Sequence, residues 1–224
     1  MKAGEKTVPE KFDYKKMYKD LYMPKAVPHE IMVVPMTFIM VDGKGDPNAE
    51  DGEYSAAVGL LYALSYTVKM SKMGAHVPDG YFEYAVPPLE GLWWMADGKK
   101  GVDYARKDQF CFVSMIRQPE FVTPEVFEWA RREVEAKKKL DTSRARLELF
   151  DEGLCVQCMH IGPFDDEPAT VEKMERFIID NGLYNDIGDC RRHHEIYLSD
   201  PRKGDISKMK TVIRIPVGKA VKGV

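Results

Sequence analysis

Gln157-Cys-Met-His-Ile-Gly162 is an apolar run that breaks at a glycine, and Phe38-Ile-Met-Val-Asp-Gly43 has the same shape earlier in the chain. Each reads as a strand that stops at its glycine before a helix. Around the earlier copy, Ile31 to Val41 is one long strand closed by Asp42-Gly43-Lys44-Gly45-Asp46-Pro47. Glu53 to Lys72 follows as a helix, with Tyr54, Val58, Leu61, Ser65 and Val68 on one face and Gly74 at its end. Around the later copy, Leu147–Phe150 and Leu154–Ile161 are strands. Pro168 opens a helix with the stripe Val171, Met174, Phe177 and Ile178, and Gly182 stops it. Tyr81 to Val86 alternates like a strand, Pro87-Pro88 interrupts it, and Leu92–Met95 and Gln109–Ile116 are extended again. In the second half His194–Leu198 and Lys210–Val217 occupy the same places. Glu83-Tyr-Ala-Val-Pro-Pro88 matches Glu195-Ile-Tyr-Leu-Ser-Asp200 in pattern. The order strand, helix, two strands therefore occurs twice, which predicts an α+β duplication.

The spacing divides the 224 residues into an N-terminal arm over 1–30 and one domain over 31–224. The first repeat spans about 31–118 and the second about 146–217. A linking helix over about 123–139 lies between them, with Thr123 as its N-cap and Pro124 in its first turn. In the arm, Phe12, Tyr14, Met17, Tyr18, Leu21 and Tyr22 are spaced for a short amphipathic or wrapping segment, and Pro24 and Pro28 then stop any helix.

Composition excludes several classes. The net charge is -3 with both signs interspersed, unlike the basic stripe of a nucleic-acid binder. Lys137, Lys138 and Lys139 fall at a helix C-terminus, where the macrodipole favours them. No apolar run approaches the length of a membrane span, and the charged N-terminus does not read as a signal peptide. Cys111, Cys155, Cys158 and Cys190 fit buried thiols in a reducing, cytoplasmic setting. Cys155 and Cys158 have CxxC spacing, but on a strand they face opposite sides, and the lone His160 completes no zinc set. No glycine-rich phosphate loop and no nucleophile elbow is present. The expectation is a protein without cofactor or metal, a monomer or weak homodimer, that binds neither nucleic acid nor membrane.

Met159-His-Ile-Gly162-Pro163-Phe164, the helix after them and His194-Glu195-Ile-Tyr197-Leu-Ser-Asp200-Pro201 resemble the GyrI-like family of small-molecule-binding domains. Tyr18-Lys-Asp-Leu-Tyr22-Met-Pro24, Gly43-Lys-Gly-Asp-Pro47-Asn48 and Pro88-Leu-Glu90-Gly-Leu-Trp93-Trp94 are similar to a stand-alone subfamily, so the resemblance covers nearly the whole chain. It implies two antiparallel sheets forming a groove with helices packed behind, and a late-strand glutamate, here Glu195, at the centre of the pocket. Stand-alone members are linked to hydrolysis of the activated cyclopropane of DNA-alkylating natural products. Others bind hydrophobic, often cationic drugs, and some shield a topoisomerase. The expected partner is a hydrophobic aromatic small molecule.

The residues can be weighed on their own chemistry. Glu195 sits among apolar strand residues with Tyr197 two positions on, hence on the same face. In a dry pocket, burial would raise its pKa and let it act as a general base toward water, with Tyr197 as donor to a developing oxyanion. The alternative is a strand glutamate paired with a cross-strand cation. Glu90 is either a second site carboxylate or a turn residue bonded to backbone amides. Trp93 and Trp94 point to opposite faces of a strand, so one of them can line a pocket. Glu83, Phe112 on the 109–116 strand and Tyr54 on the first helix are further candidate ligand contacts, although Tyr54, Tyr62 and Tyr66 also read as core. His160 beside the Gly162 turn is more often a satisfied structural histidine, though it lies on a strand bordering the groove. His193 and His194 read as adjacent surface histidines.

Overall fold

The computed structural model describes residues 11–74, 76–99, 101–199 and 205–219. Two helical turns open it, α1 (Tyr14–Met17) and α2 (Lys19–Tyr22). Strands β1 (His29–Val33) and β2 (Met36–Lys44) follow, then α3 (Glu53–Lys69), β3 (Leu89–Met95) and β4 (Phe110–Arg117). The linking helix is α4 (Pro124–Lys138). The second half has β5 (Ala145–Phe150), β6 (Gly153–Ile161), α5 (Glu167–Asp180), β7 (Leu183–Asn185), β8 (His193–Tyr197) and β9 (Lys210–Lys219).

The strands run β1-β6-β9-β8-β3-β4-β2-β5, every pair antiparallel, and β7 joins the far end of β9. A pseudo-two-fold lies between β8 and β3, since β6-β9-β8 on one side matches β2-β4-β3 on the other. Each repeat is thus strand, helix, strand, strand. The strand that leads each repeat crosses to the other one. β1 pairs with β6 and β5 pairs with β2, so each half is closed by a strand from its counterpart.

Two details depart from the sequence pattern. Ile31–Val41 is two strands rather than one, because the chain breaks at Val34-Pro35 and proline has no N–H to give a ladder. The 81–86 segment is no strand either. Its one ladder contact is a parallel bridge between Tyr84 and Phe12, as Pro87-Pro88 bars it from the sheet. The counterpart of β8 is therefore β3, and Glu83 does not correspond to Glu195. Asp200 and Pro201, which close the late motif, lie outside the described residues.

Helices α3 and α5 cover one face of the sheet. Along α3, Ala57, Leu60, Leu61, Leu64 and Val68 pack on Ile39, Val41, Phe112 and Ile116, while α4 adds Phe127, Ala130 and Val134. Along α5, Met174 and Ile178 pack on Val156, Cys158, Ile213 and Ile215. Each Val, Leu, Ile, Phe or Met side chain so buried is worth about 1.5–3 kcal/mol. Thr123 caps α4 through its side chain, which accepts from the Val126 amide, and Pro124 fills the first turn. The other face is closed by the N-terminal arm, whose Tyr14 and Tyr22 are buried. Arg117 lies over the rings of Tyr14 and Tyr18, at 4.7 and 4.4 Å.

Candidate functional site

The helix-covered face has a gap between α3 and α5, and its floor is the central pair β3–β8. Register sets what stands there. Gly91 opposes Glu195, Trp93 opposes His193 and Leu89 opposes Tyr197, so the odd-numbered side chains of β8 and β3 share this face. Tyr197 Oη donates to Glu195 Oε2 at 2.8 Å, and Trp93 Nε1 donates to Tyr197 Oη at 2.7 Å. Gly91 is what lets them meet. A Cβ there would lie 2.6 Å from Trp93 Nε1 and 3.0 Å from Tyr197 Oη. Tyr54 of α3 packs 5.5 Å from Trp93 and 5.3 Å from Phe112, and Phe164 meets Tyr197 edge-on at 5.7 Å.

Three further residues complete the cluster. His193 Nε2 lies 3.1 Å from Glu195 Oε1. Glu167, in the first turn of α5, is wholly buried. Tyr104, from the loop between β3 and β4, donates to Glu167 Oε2 at 2.6 Å and reaches Glu195 Oε1 at 3.5 Å. Among the described residues, Glu167 Oε1 has no hydrogen-bond partner. A cleft of about 310 Å³ between this loop and α5 leads down to His193, past Val102, Tyr104, Pro168 and Val171.

The two carboxyl groups titrate apart. Burial raises Glu195, but the hydrogen bond and charge of His193 and the bond from Tyr197 outweigh it and leave the group below the ordinary carboxylate range. This reverses the direction expected from burial alone. Glu167 is pushed well above its usual value, first by burial and then by the negative charge of Glu195. A single proton between them therefore sits on Glu167, giving an ionised base beside a neutral acid. Burial, and then the Glu195 charge, keeps the Tyr197 and Tyr104 hydroxyls protonated. Glu167, His193 and Glu195 also each offer one ligand atom within 4.8 Å of the others. As a metal set this trio would need Glu167 ionised, against the direction in which burial and the Glu195 charge push it.

Of the candidates from sequence, Glu195, Tyr197, Trp93, Tyr54 and Phe112 come together here. The other four stand elsewhere. Trp94 leaves β3 on the opposite face, under the Arg192 guanidinium at 4.6 Å. Glu90 is on that face too, bonded to His194 Nε2 at 3.0 Å and to the Tyr22 hydroxyl at 3.3 Å, not to turn amides. Glu83 pairs with Lys72 at the surface. His160 shares the face of Tyr197 but is held by Thr170 Oγ1 at 2.9 Å and the Pro163 carbonyl at 3.0 Å. It pins the turn that delivers α5 and Glu167.

His193 and His194 are both buried, which corrects their reading as surface residues. Burial across the sheet is invisible in a dipeptide of two polar residues. Glu167 and Tyr104 carry no local signal, because a helix-start glutamate and a loop tyrosine are ordinary. His194 anchors a second network, with Nδ1 2.8 Å from Glu152 Oε1, whose Oε2 accepts from Arg214 at 3.0 Å. Burial raises Glu152, but His194 and Arg214 bring it down to about 2. Burial lowers His194, yet Glu152 and Glu90 raise it to about 9.

A model of GyrI-like small molecule binding domains matches residues 27–218. The chain belongs to the GyrI-like family. No curated protein matches it. Among solved structures, this GyrI-like chain is similar to a protein described as a hydrolase from Listeria innocua, at 51% identity and TM-score 0.84, over 93% of this chain and 100% of that one. It is similar also to an uncharacterized conserved protein from the same organism, at 52% identity and TM-score 0.86, with the same coverage. The C-terminal domain of EcmrR, 12% identical with TM-score 0.50 over 86% of this chain and 98% of that one, shares the fold. Among the described residues, no helix is long and apolar enough to cross a membrane.

Proposed function

We propose that this GyrI-like domain is a cofactor-free hydrolase that opens the activated cyclopropane of electrophilic, aromatic, DNA-alkylating compounds, acting in the cytoplasm as a protective enzyme. The observation that carries the reading is the pair of buried carboxyl groups, Glu195 below its ordinary pKa and Glu167 above it, beside the Trp93, Tyr54 and Phe112 rings. Pairs of titratable groups pushed apart in this way suit one base and one acid.

In this reading Glu195 takes a proton from water as the water oxygen bonds to the strained ring carbon. The ring C–C bond breaks, and its electron pair passes into the conjugated carbonyl. Glu167 protonates the oxygen that gains the charge. The proton on Glu195 then returns to Glu167, which restores both groups and leaves one water added. Tyr197 and His193 hold Glu195 in position, and the aromatic walls orient the ring system.

The test is incubation of the protein with a cyclopropane-bearing alkylator in excess, followed by mass spectrometry. Addition of one water to many equivalents is expected. Glu195→Gln should lose about 10²–10⁴-fold in rate, the usual worth of a general base, while still binding a neutral ligand. Intact compound with one equivalent bound would mean a sequestering module, and turnover at the wild-type rate in Glu195→Gln would remove the base assignment.

A further inference from the structure

The carboxyl groups that face the gap are sealed. Glu195 is 6% exposed and Glu167 fully covered, so a ligand reaches them only if something moves. The sheet floor and the two helices are held by the main core. Beside the Phe164 and Tyr54 rings the remaining cover is the β3–β4 loop, and among its described residues the side chain bonded to the carboxyls is Tyr104. Its ring stands edge-on to Phe110 at 6.3 Å, and its hydroxyl makes the short bond to Glu167 Oε2. In other words, a phenol already occupies the pocket.

Two features of the loop suit withdrawal of that phenol, its glycines and its self-contained ion pairs. Gly98 and Gly101 have φ of 76° and 79°, a backbone region that suits glycine, and nothing lies within 4 Å of a Cβ placed on either. The ion pairs Lys99–Asp103, Arg106–Asp103 and Arg106–Asp97 all fall within the loop, so they stiffen it without fastening it elsewhere. The one ion pair described from this segment to the second repeat is Lys107–Asp165, with Asp165 exposed. The adjoining cleft of about 310 Å³ is at the lower limit for a small-molecule site. Withdrawal of the Tyr104 side chain would join it to the space over Glu195.

We infer that Tyr104 is a resident stand-in for the ligand, and that the compound which displaces it carries an aryl ring with a hydroxyl that donates to Glu167 and lies against Glu195; in the proposed hydrolysis that hydroxyl is the one ring opening creates from the carbonyl. This rests on the Glu195 pocket being the ligand pocket, and it narrows the ligand class from aromatic to phenolic.

The test is cavity complementation, which needs no turnover and so stands or falls apart from the hydrolase reading. Tyr104→Ala should bind 4-methylphenol at one equivalent by calorimetry, quench or shift tryptophan fluorescence, and gain thermal stability from it. Toluene, which lacks the donor, should bind at least about 10-fold more weakly. Wild-type protein should bind 4-methylphenol at least about 10-fold more weakly than the variant, since its own ring competes. Tyr104→Phe keeps the packing and serves if the alanine variant does not fold. With the competing bond removed, it should bind 4-methylphenol more tightly than wild type. Equal binding of toluene and 4-methylphenol, no binding by Tyr104→Ala, or Tyr104→Phe no tighter than wild type would each overturn the inference.

Discussion

His194 and Glu195 are neighbours on β8 whose side chains leave the sheet on opposite faces, each into its own buried polar network. Glu195 joins His193, Tyr197 and, through Tyr104, Glu167 in the gap between α3 and α5. His194 joins Glu90, Glu152 and Arg214 beneath the N-terminal arm. One strand therefore separates a site that suits chemistry from a charge cluster that suits structure.

The carboxyl pair sets a pH profile. With Glu195 below and Glu167 above their ordinary values, hydrolysis should fall on the acid side as Glu195 takes up a proton. It should fall on the alkaline side as Glu167 loses its own. Glu167→Gln should lower the rate about 10²-fold or more and erase the alkaline limb while the acid limb remains. Initial rates from pH 4 to 10 on both proteins check this. A full bell in the variant would remove Glu167 from the acid role.

The opposite cluster governs stability. With His194 protonated, Glu90 and Glu152 are balanced by His194 and Arg214. His194 is raised to about 9, so its contribution is full below the unfolded value of about 6.5 and is lost as pH rises through about 9. Urea midpoints should fall between pH 7 and pH 10. His194→Leu leaves Glu90 without its charged partner and Glu152 with Arg214 alone, and should cost about 3–5 kcal/mol at pH 7, with little further loss at alkaline pH. An unchanged slope in that variant would place the pH dependence elsewhere.

Gly91→Ala tests the close approach under the site. The added methyl meets Trp93 Nε1 and Tyr197 Oη, so the Trp93–Tyr197 bond must open. About 1–3 kcal/mol of destabilisation is expected from overpacking, with altered Trp93 emission and weaker ligand binding. Ser114, which opposes Gly91 on β4, provides the control. Ser114→Ala should be near neutral, since its hydroxyl has no partner.

Much of this was legible in the chain. The helix stripes, the Thr123-Pro124 start, the duplication and the shared face of Glu195 and Tyr197 follow from periodicity and turn chemistry, which act locally. What was not legible depends on register between distant strands. Glu83 resembled a counterpart of Glu195 because both lead short alternating runs, yet two prolines keep the first out of the ladder. Pro35 divides what reads as one apolar run. The choice of Trp93 over Trp94 follows from Trp93 opposing His193 and not from either residue's surroundings in sequence. Glu167 and Tyr104 reach the site from a helix start and a loop, through the fold alone.

The crossed leading strands bear on how such a molecule can be cut or copied. Once cleaved in the link between α4 and β5 and separated, one half has β1 without its ladder, β2 without one neighbour and β3 without β8, and the other has the three matching defects. Each half would present open hydrogen-bonding rims with one natural mate, a second half. A lone repeat would satisfy these rims by exchanging its first strand with another copy and pairing its central edge with that copy's, so the two-repeat chain reads as a strand-exchanged pair written on a single polypeptide.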